Sequence, residues 1–137
     1  RLAARESERT AKDIMEPIPT IPVDSSLTAA AELIVQGRGN IVAVLGPQKK
    51  LAGVLTTWDI TRAVAEGACT GSLEAVMTKK VVAAAPGSRI PEILRELEQN
   101  RISAMPVVEE GRVLGLVSSD LLAQRYLPQL LRSKDKE

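Results

Sequence analysis

The chain is poor in the side chains that carry most enzymatic chemistry. Among its 137 residues there is no His and no Phe, and Trp, Tyr and Cys each occur once. Without His there is no imidazole base, and Cys69 as the one thiol permits neither a zinc site nor an intrachain disulfide. We therefore predict no cofactor, no metal and no independent enzymatic activity, because these residue types supply no nucleophile, base and metal set.

Excess charge and long apolar runs are missing too. The 18 basic and 17 acidic residues nearly cancel, and single-stranded nucleic acids find few aromatic rings to stack on, so no nucleic-acid partner is expected. No apolar run reaches the roughly 18 residues that span a bilayer, and residues 1–6 lack the apolar core of a signal peptide. We expect no direct membrane contact and a cytoplasmic location. The first residue is Arg rather than Met, which suggests a trimmed chain or a piece of a longer protein.

What the chain does contain is an internal repeat. Three pairs of residues recur at nearly constant spacing: Met15 and Met77 at 62 positions, Gly53 and Gly115 at 62, and Asp59 and Asp120 at 61. Self-similarity at a fixed period indicates two copies of one structural unit. A unit of about 60 residues is near the lower limit for independent stability, so the two copies are expected to share a core.

Hydrophobic periodicity and turn residues predict the same element order in both copies. In the first copy we predict an extended segment at 15–22, a helix from 24–26 that Gly37 and Gly39 end, strands at 41–45 and 51–55, and a helix at 57–66 closed by Gly67. In the second we predict a short helix at 72–76, an extended segment at 77–82, a helix at 88–100, strands at 104–108 and 113–117, and a final helix from Ser119, kinked at Pro128. The predicted division is a lead-in helix at 1–14, repeat one at 15–68, repeat two at 69–127 and a C-terminal tail at 128–137, frayed from 132 onward.

The stretch GVLTTWDI at 53–60 carries a strand into a helix. Taken alone, Thr56 as N-cap and Asp59 at the third helical position form a variant of the capping box, which the helix dipole favours. With the forms ISAMPVV at 102–108 and VLGLVS at 113–118, however, residues 11–127 resemble a tandem pair of CBS domains, or Bateman module, named for cystathionine β-synthase.

The resemblance implies an α/β (α+β) fold of two pseudo-symmetric strand-helix-strand-strand-helix repeats packed sheet to sheet. It also implies a regulatory sensor that binds an adenosyl ligand (AMP, ADP, ATP or S-adenosylmethionine) in a cleft between the repeats. Occupancy would be transmitted to an attached or associated protein, whose identity is unknown. Paired modules of this kind form disc-like homodimers through the helices after the strands, and the apolar residues expected there are Ile60, Val64, Leu121 and Leu122.

The resemblance assigns the ribose diol to Asp59 and places Thr56 and the helix start near the phosphate. This is reasonable chemistry, because a carboxylate offers two acceptor oxygens to two hydroxyls and a helix N-terminus offers unpaired N–H groups to an anion. The adenine would lie against Val81, Val82, Ala83, Ala104, Met105 and Pro106.

A second, weaker site is implied at Ser118 and Asp120. Its adenine cradle would be Ile18, Pro19, Thr20, Ile21, Asn40, Ile41 and Val42. Asp120 comes one position early relative to Asp59, which turns its carboxylate by about 100° around the helix. Ser118 or Ser119 is then expected to be an N-cap, and the Asp59 site is expected to bind more tightly.

Basic residues for a phosphate are not evident. Asn40 and Ala104 stand where the family commonly carries such residues, and the remaining candidates are Arg62, Lys79, Lys80 and Arg101. Arg62 is equally placed to pair with Asp59 at i+3. We interpret Trp58 as a packing or interface residue and the three Met residues as core filler.

Two competing functions remain open. One is a structural dimerisation module in which Thr56 and Asp59 only cap a helix, and the other is an accessory domain of a larger enzyme or transporter. Ligand titration distinguishes the first from a sensor, and the full-length gene decides the second.

Overall fold

The computed structural model describes residues 4–37, 40–67 and 71–135. In chain order the elements are helices α1 (Ala4–Ser7) and α2 (Ala11–Ile14), strand β1 (Thr20–Pro22), helix α3 (Leu27–Gln36), strands β2 (Ile41–Leu45) and β3 (Leu51–Thr56) with a 3-10 turn at Pro47–Lys49 between them, helices α4 (Thr57–Ala65), α5 (Leu73–Val76) and α6 (Ile90–Asn100), strands β4 (Ala104–Glu109) and β5 (Arg112–Ser118), and helix α7 (Ser119–Asp135). The predicted helix stop at Gly39, Cys69 and the repeat boundary at 68/69 lie outside the described residues.

Two sheets form the framework. In repeat one, β1 runs parallel to β2 and β2 antiparallel to β3, and in repeat two β4 and β5 form an antiparallel pair. The mixed α/β class is confirmed. Between the repeats, Ile41, Val54 and Leu116 form a buried cluster to which side chains from both halves add. Strands of the two sheets therefore face each other, as predicted.

The second extended segment, predicted at 77–82, is not a strand. It makes isolated bridges only, from Thr78 to Val54 and from Ala84 to Val107. The N–H of Ala84 donates to the Pro106 carbonyl at 2.9 Å, and the Ala84 carbonyl accepts from Val108 at 2.8 Å. A turn at residues 86 and 87 follows at once, and Pro86 has no N–H to extend the ladder.

The segment that precedes each repeat packs on the other repeat. Ala11 and Ile14 of α2 are buried in the core of repeat two, with Met15 packed against that core. Leu73 and Met77 are in turn buried in the core of repeat one. The repeats thus exchange their lead-in segments, and neither core is complete without residues from the other half.

The recurring Met and Gly residues are explained by this exchange. A Cβ on Gly53 would lie 2.7 Å from the Thr78 carbonyl oxygen and 2.9 Å from Met77 Sδ. A Cβ on Gly115 would lie 2.8 Å from Met15 Sδ and 2.9 Å from the Glu16 carbonyl oxygen. Glycine is needed at both positions because the lead-in segment crosses the strand at close range.

Two predicted helix boundaries are wrong. The lead-in helix is broken at Thr10, whose N–H and hydroxyl donate to the Asp13 carboxylate at 2.9 and 3.1 Å and so start α2 anew. Helix α6 begins at Ile90 rather than 88, because the Ser88 hydroxyl accepts the Ala85 N–H at 3.0 Å and holds the preceding turn. Residues 128–135, named above as a C-terminal tail, form the end of α7, so the predicted final helix from Ser119 continues past Pro128.

Two of the four residues predicted to face a dimer partner are covered within the chain, Leu122 fully and Ile60 in part. Leu122 is 4% exposed within the core of repeat two, and Ile60 packs against the core of repeat one. In the described part of the chain, no helix is both long enough and apolar enough to cross a membrane.

Candidate functional site

The first strand-to-helix junction lies where β3 ends at Thr56 and α4 begins; we call it the Asp59 junction. Asp59 is 4% exposed. Its Oδ2 accepts the Thr56 N–H at 2.9 Å and the Thr56 hydroxyl at 3.1 Å, while Thr56 Oγ1 accepts the Asp59 N–H at 3.3 Å. The capping box that the sequence permits is therefore formed.

Two further side chains contact the Asp59 carboxylate. The Thr78 hydroxyl lies 3.2 Å from both carboxylate oxygens, and Arg62 Nη1 lies 3.5 Å from Oδ1. Thr78 lies in the lead-in segment of repeat two and forms a β-bridge with Val54. A ligand hydroxyl would reach Asp59 only by displacing Thr78 or Arg62, because a carboxylate has about four lone-pair sites.

The second junction, which we call the Asp120 junction, lies where β5 ends at Ser118 and α7 begins. Ser118 is buried, and its hydroxyl accepts the Leu121 N–H at 3.0 Å, so Ser118 is the N-cap. Leu121 thus takes the third helical position that Asp59 holds in repeat one. Asp120, at the second position, is exposed. The shift of one residue leaves its carboxylate outside any capping box.

A cleft of about 270 Å³ lies beside the Asp120 junction, between the two repeats. Repeat one and its lead-in contribute Glu16, Asn40 and Ile41. Repeat two contributes Ser103, Ala104, Leu116, Ser118, Asp120, Leu121 and Gln124. The wall carries two carboxylates, several neutral polar groups and no basic side chain among these ten residues.

The predicted second site is thus partly assembled. Asn40, Ile41, Ser118 and Asp120 line the cleft, while Ile18 packs in the cluster between the repeats. The other predicted cradle residues are engaged in the sheet or the core of repeat one. The Pro19 carbonyl accepts the Ala43 N–H at 2.9 Å, and Thr20 pairs with β2 as part of β1. Ile21 and Val42 are buried in the core.

The residues predicted to cradle the adenine of the first site lie on two neighbouring segments, which the Ala84 N–H joins by donating to the Pro106 carbonyl at 2.9 Å. Ala104 lines the Asp120 cleft instead, and Val81 packs in the cluster between the repeats. Met105 and Pro106 are almost fully buried, Val82 packs against the core of repeat two, and Ala83 is exposed.

Five cleft residues were not predicted from the sequence as site residues: Glu16, Ser103, Leu116, Leu121 and Gln124. Gln124 stands at i+4 from Asp120, so helical periodicity was an available signal. Glu16 carries no such signal, because the exchange of lead-in segments brings it to Leu116, where the two backbones exchange hydrogen bonds of 3.0 and 2.8 Å.

The expectation that the helix starts offer unpaired N–H groups to an anion is wrong for two positions in each helix. The Thr57 N–H donates to the Asn40 carbonyl at 3.1 Å, and that of Ser119 to the Ser103 carbonyl at 2.8 Å. The third N–H of each helix is capped by the Thr56 or Ser118 hydroxyl. In each case the accepting carbonyl belongs to the residue just before a strand, Asn40 before β2 and Ser103 before β4.

The four basic residues considered above as phosphate ligands are not among the residues that line the cleft. Arg62 pairs with Asp59, and Lys79 Nζ lies 3.8 Å from Glu74 Oε1 in an exposed pair. Lys80 and Arg101 are exposed. Within residues 4–37, 40–67 and 71–135, no group of three or more Asp, Glu, His or Cys side chains is arranged to hold a metal ion.

Comparison with known families decides what this pair of repeats is. The sequence profile of the CBS domain matches residues 11–66 and 73–126, which together make up most of the chain. The chain belongs to the CBS domain family. The two matches coincide with the two repeats described above, so the predicted tandem CBS pair is confirmed.

Curated relatives of this CBS pair are much longer proteins. An L-aspartate semialdehyde sulfurtransferase of Methanosarcina acetivorans is 42% identical over 121 residues, which covers 84% of this chain and 24% of the relative. A homoserine O-acetyltransferase of Methanosphaerula palustris is 36% identical over 115 residues, which covers 82% of this chain and 23% of the relative. The chain spans about a quarter of the length of these relatives.

A solved CBS domain pair has the same architecture. It was crystallised in complex with 5′-methylthioadenosine and S-adenosyl-L-methionine, and it matches with a TM-score of 0.80 and 28% sequence identity. The match covers 88% of this chain and 97% of that one.

Proposed function

We propose that the chain is a non-catalytic regulatory module that binds an adenosyl ligand in the Asp120 cleft. The observation that carries the proposal is an open cleft between two CBS repeats with an exposed carboxylate on its wall. The solved CBS pair bound to two adenosyl compounds supports the ligand class. In our proposal, Asp120 accepts hydrogen bonds from the ribose diol, and Ile41, Ala104 and Leu116 supply apolar contacts to the base.

The choice of the Asp120 cleft reverses the order of affinity predicted from the sequence. Asp59 is buried and its oxygens already accept from Thr56 and Thr78, so binding there would first break native hydrogen bonds. Asp120 is exposed and lines the cleft, where its carboxylate is accessible to a ligand. Binding at Asp120 therefore costs less reorganisation.

A ligand screen tests this proposal. We expect 5′-methylthioadenosine, S-adenosylmethionine, AMP, ADP and ATP to include at least one compound that raises the melting temperature. Saturation at 100 times the dissociation constant corresponds to about 2.7 kcal/mol of added stability. Asp120→Ala should weaken that ligand by about tenfold, the loss of a charge-assisted hydrogen bond.

Asp59→Ala is the matched control, because it removes the equivalent carboxylate of the other repeat. It should leave the dissociation constant within about twofold at a temperature where the variant is folded, a change below about 0.4 kcal/mol. If Asp59→Ala abolishes binding while Asp120→Ala binds like the parent, the ligand occupies the Asp59 junction and our assignment is incorrect.

We further propose that occupancy is transmitted to an enzyme domain attached in a longer protein. The support is that both named relatives are enzymes about four times longer than the part this chain matches. Homoserine and aspartate semialdehyde have the four-carbon amino-acid skeleton that S-adenosylmethionine also contains, so regulation by a compound with that skeleton is a chemically coherent role. Transmission requires that the ligand bind two states of the protein with different affinity. A ligand that binds the full-length protein without changing its activity at any substrate concentration would contradict this role.

A structural module that only dimerises is the second candidate, and exposed apolar residues on α4 favour it. Trp58 and Val64 are 75% and 58% exposed, which is unusual for large apolar side chains on one short helix. We propose a homodimer in which they are covered by a second copy. Sedimentation at micromolar concentration should give the mass of two chains for the parent and of one chain for Val64→Asp. A dimer that binds none of the five adenosyl compounds would favour this candidate over the sensor.

A further inference from the structure

The charge of the Asp120 cleft carries information about its ligand beyond the adenosyl group. We infer that this cleft selects adenosyl compounds that carry no phosphate, with a neutral or cationic substituent at the 5′ carbon. The inference rests on the proposed function and deepens it, because it divides the adenosyl compounds into two classes. Nucleotides such as AMP form the disfavoured class, and sulfur-linked nucleosides such as 5′-methylthioadenosine form the favoured one.

The cleft wall is acidic. Glu16 and Asp120 lie on it from opposite repeats, and none of the ten lining residues is basic. A phosphomonoester carries about −1.5 to −2 charges at pH 7. Placing it in a cleft lined by two acidic residues is repulsive, and the ten described lining residues supply no cation to compensate.

The start of α7 does not offset this repulsion. The N–H groups of Ser119 and Leu121 donate to the Ser103 carbonyl and the Ser118 hydroxyl, at 2.8 and 3.0 Å. Two of the donors that usually hold a phosphate at a helix N-terminus are thus engaged. Asp120 itself stands in the first turn, where the positive end of the helix dipole already favours its charge.

The backbone holds Glu16 at the cleft. The N–H of Glu16 donates to the Leu116 carbonyl at 3.0 Å, and that of Leu116 donates to the Glu16 carbonyl at 2.8 Å. Glu16 occupies the position that Thr78 holds 62 residues later, where a hydroxyl donates to Asp59. Repeat two thus has a second carboxylate where repeat one has a donor. A cationic sulfonium or ammonium group of a ligand would meet two negative groups there.

Calorimetry on the intact chain tests the selection with three probes: 5′-methylthioadenosine, S-adenosylmethionine and AMP. We expect 5′-methylthioadenosine to bind at least about tenfold more tightly than AMP at low salt, from like-charge repulsion at separations of several ångström. Raising the salt concentration should narrow that ratio, because screening weakens the repulsion.

The Glu16→Gln variant removes one charge and keeps the shape of the side chain. Relative to 5′-methylthioadenosine, AMP should gain about three- to eightfold in affinity, and S-adenosylmethionine should lose about two- to threefold. The matched control is Glu98→Gln on the exposed side of α6, which is outside the cleft wall and should leave both ratios unchanged.

The outcomes separate this inference from the proposed function. If AMP binds as tightly as 5′-methylthioadenosine, or if Glu16→Gln leaves both ratios unchanged, the charge selection is refuted while adenosyl binding stands. If none of the three probes binds, the proposed function fails and the selection fails with it. Opposite shifts of AMP and S-adenosylmethionine in Glu16→Gln support the selection.

Discussion

The two strand-to-helix junctions share one design and differ in what reaches the carboxylate. At the Asp59 junction, the acid stands at the third helical position and accepts from the Thr78 hydroxyl. At the Asp120 junction, the acid stands one position earlier, and the lead-in residue equivalent to Thr78 is Glu16, which lines the same cleft. A donor beside a carboxylate closes the first junction, whereas two acids cannot hydrogen-bond each other when ionised, and the second stays open. A repeated unit thus gives one structural and one accessible acid.

Removing each acid in turn is the most direct test of the difference between the two junctions. Asp59→Ala should lower the free energy of unfolding by about 2–3 kcal/mol, because a buried charge-assisted network is lost. Asp120→Ala should cost only about 0.3–1 kcal/mol, the interaction of an exposed first-turn acid with the helix dipole. Urea denaturation of both variants measures the difference. Equal losses would mean that the two acids have the same structural role.

A second test concerns the glycines over which the lead-in segments cross. Gly53→Ala and Gly115→Ala should each cost about 1–3 kcal/mol, because the new Cβ would overlap a carbonyl oxygen and a Met sulfur. Gly87→Ala is the matched control, since a Cβ there meets nothing within 4 Å and its φ is not positive. Thermal melting that ranks Gly87→Ala as the most damaging of the three would contradict the exchange of lead-in segments.

A smaller effect is expected from removing the Thr78 hydroxyl, which donates to the carboxylate of the Asp59 junction. Thr78→Val keeps the β-branched shape but removes the hydroxyl that Asp59 accepts, so a loss of about 0.5–1.5 kcal/mol is expected. Thr61→Val on the exposed face of α4 should stay within about 0.5 kcal/mol. Chemical denaturation gives both values. A Thr78→Val variant as stable as Thr61→Val would show that the hydroxyl does not secure Asp59.

The smallest expected effect is the pH dependence of the contact between α1 and α7, the helix that follows the Asp120 junction. Partial burial tends to raise the pKa of Glu6, but the hydrogen bond from Tyr126 and the charges of Arg9 and Arg125 outweigh it and lower the pKa below its ordinary 4.5. A lowered pKa means that the attachment of α1 to α7 is fully present above about pH 4.5 and is lost as the pH falls through the lowered value.

Hydrogen exchange checks this pH dependence. As the pH falls below 4.5, amides of α1 should exchange progressively faster relative to those of α6, after correction for the intrinsic rate. Tyr126→Phe should show the fast exchange already at neutral pH, because it removes the hydroxyl that donates to Glu6 at 3.0 Å. Protection of α1 that is independent of pH in the parent would contradict the role of Glu6.

Much of the element order followed from local patterns. The strands at 41–45 and 104–108 and the helix that starts at Thr57 were predicted because apolar runs and caps act over a few residues. Thr10 broke the predicted first helix, since one Thr and Asp pair formed a new cap that periodicity does not reveal. In the candidate site, Asn40, Ile41, Ser118 and Asp120 were predicted as cleft residues, whereas Glu16 was not.

The sequence by itself determined the repeat, the order of elements and the one-residue shift of Asp120, because all three depend on spacing along the chain. Only the tertiary structure decided which acid is buried and which is exposed. Thr78 meets Asp59 from 19 positions away, and Glu16 reaches the cleft of Asp120 from 104 positions away. Both meetings depend on lead-in segments that cross to the opposite repeat. Exchange of this kind is a matter of packing between distant segments, and neither periodicity nor capping residues specify it.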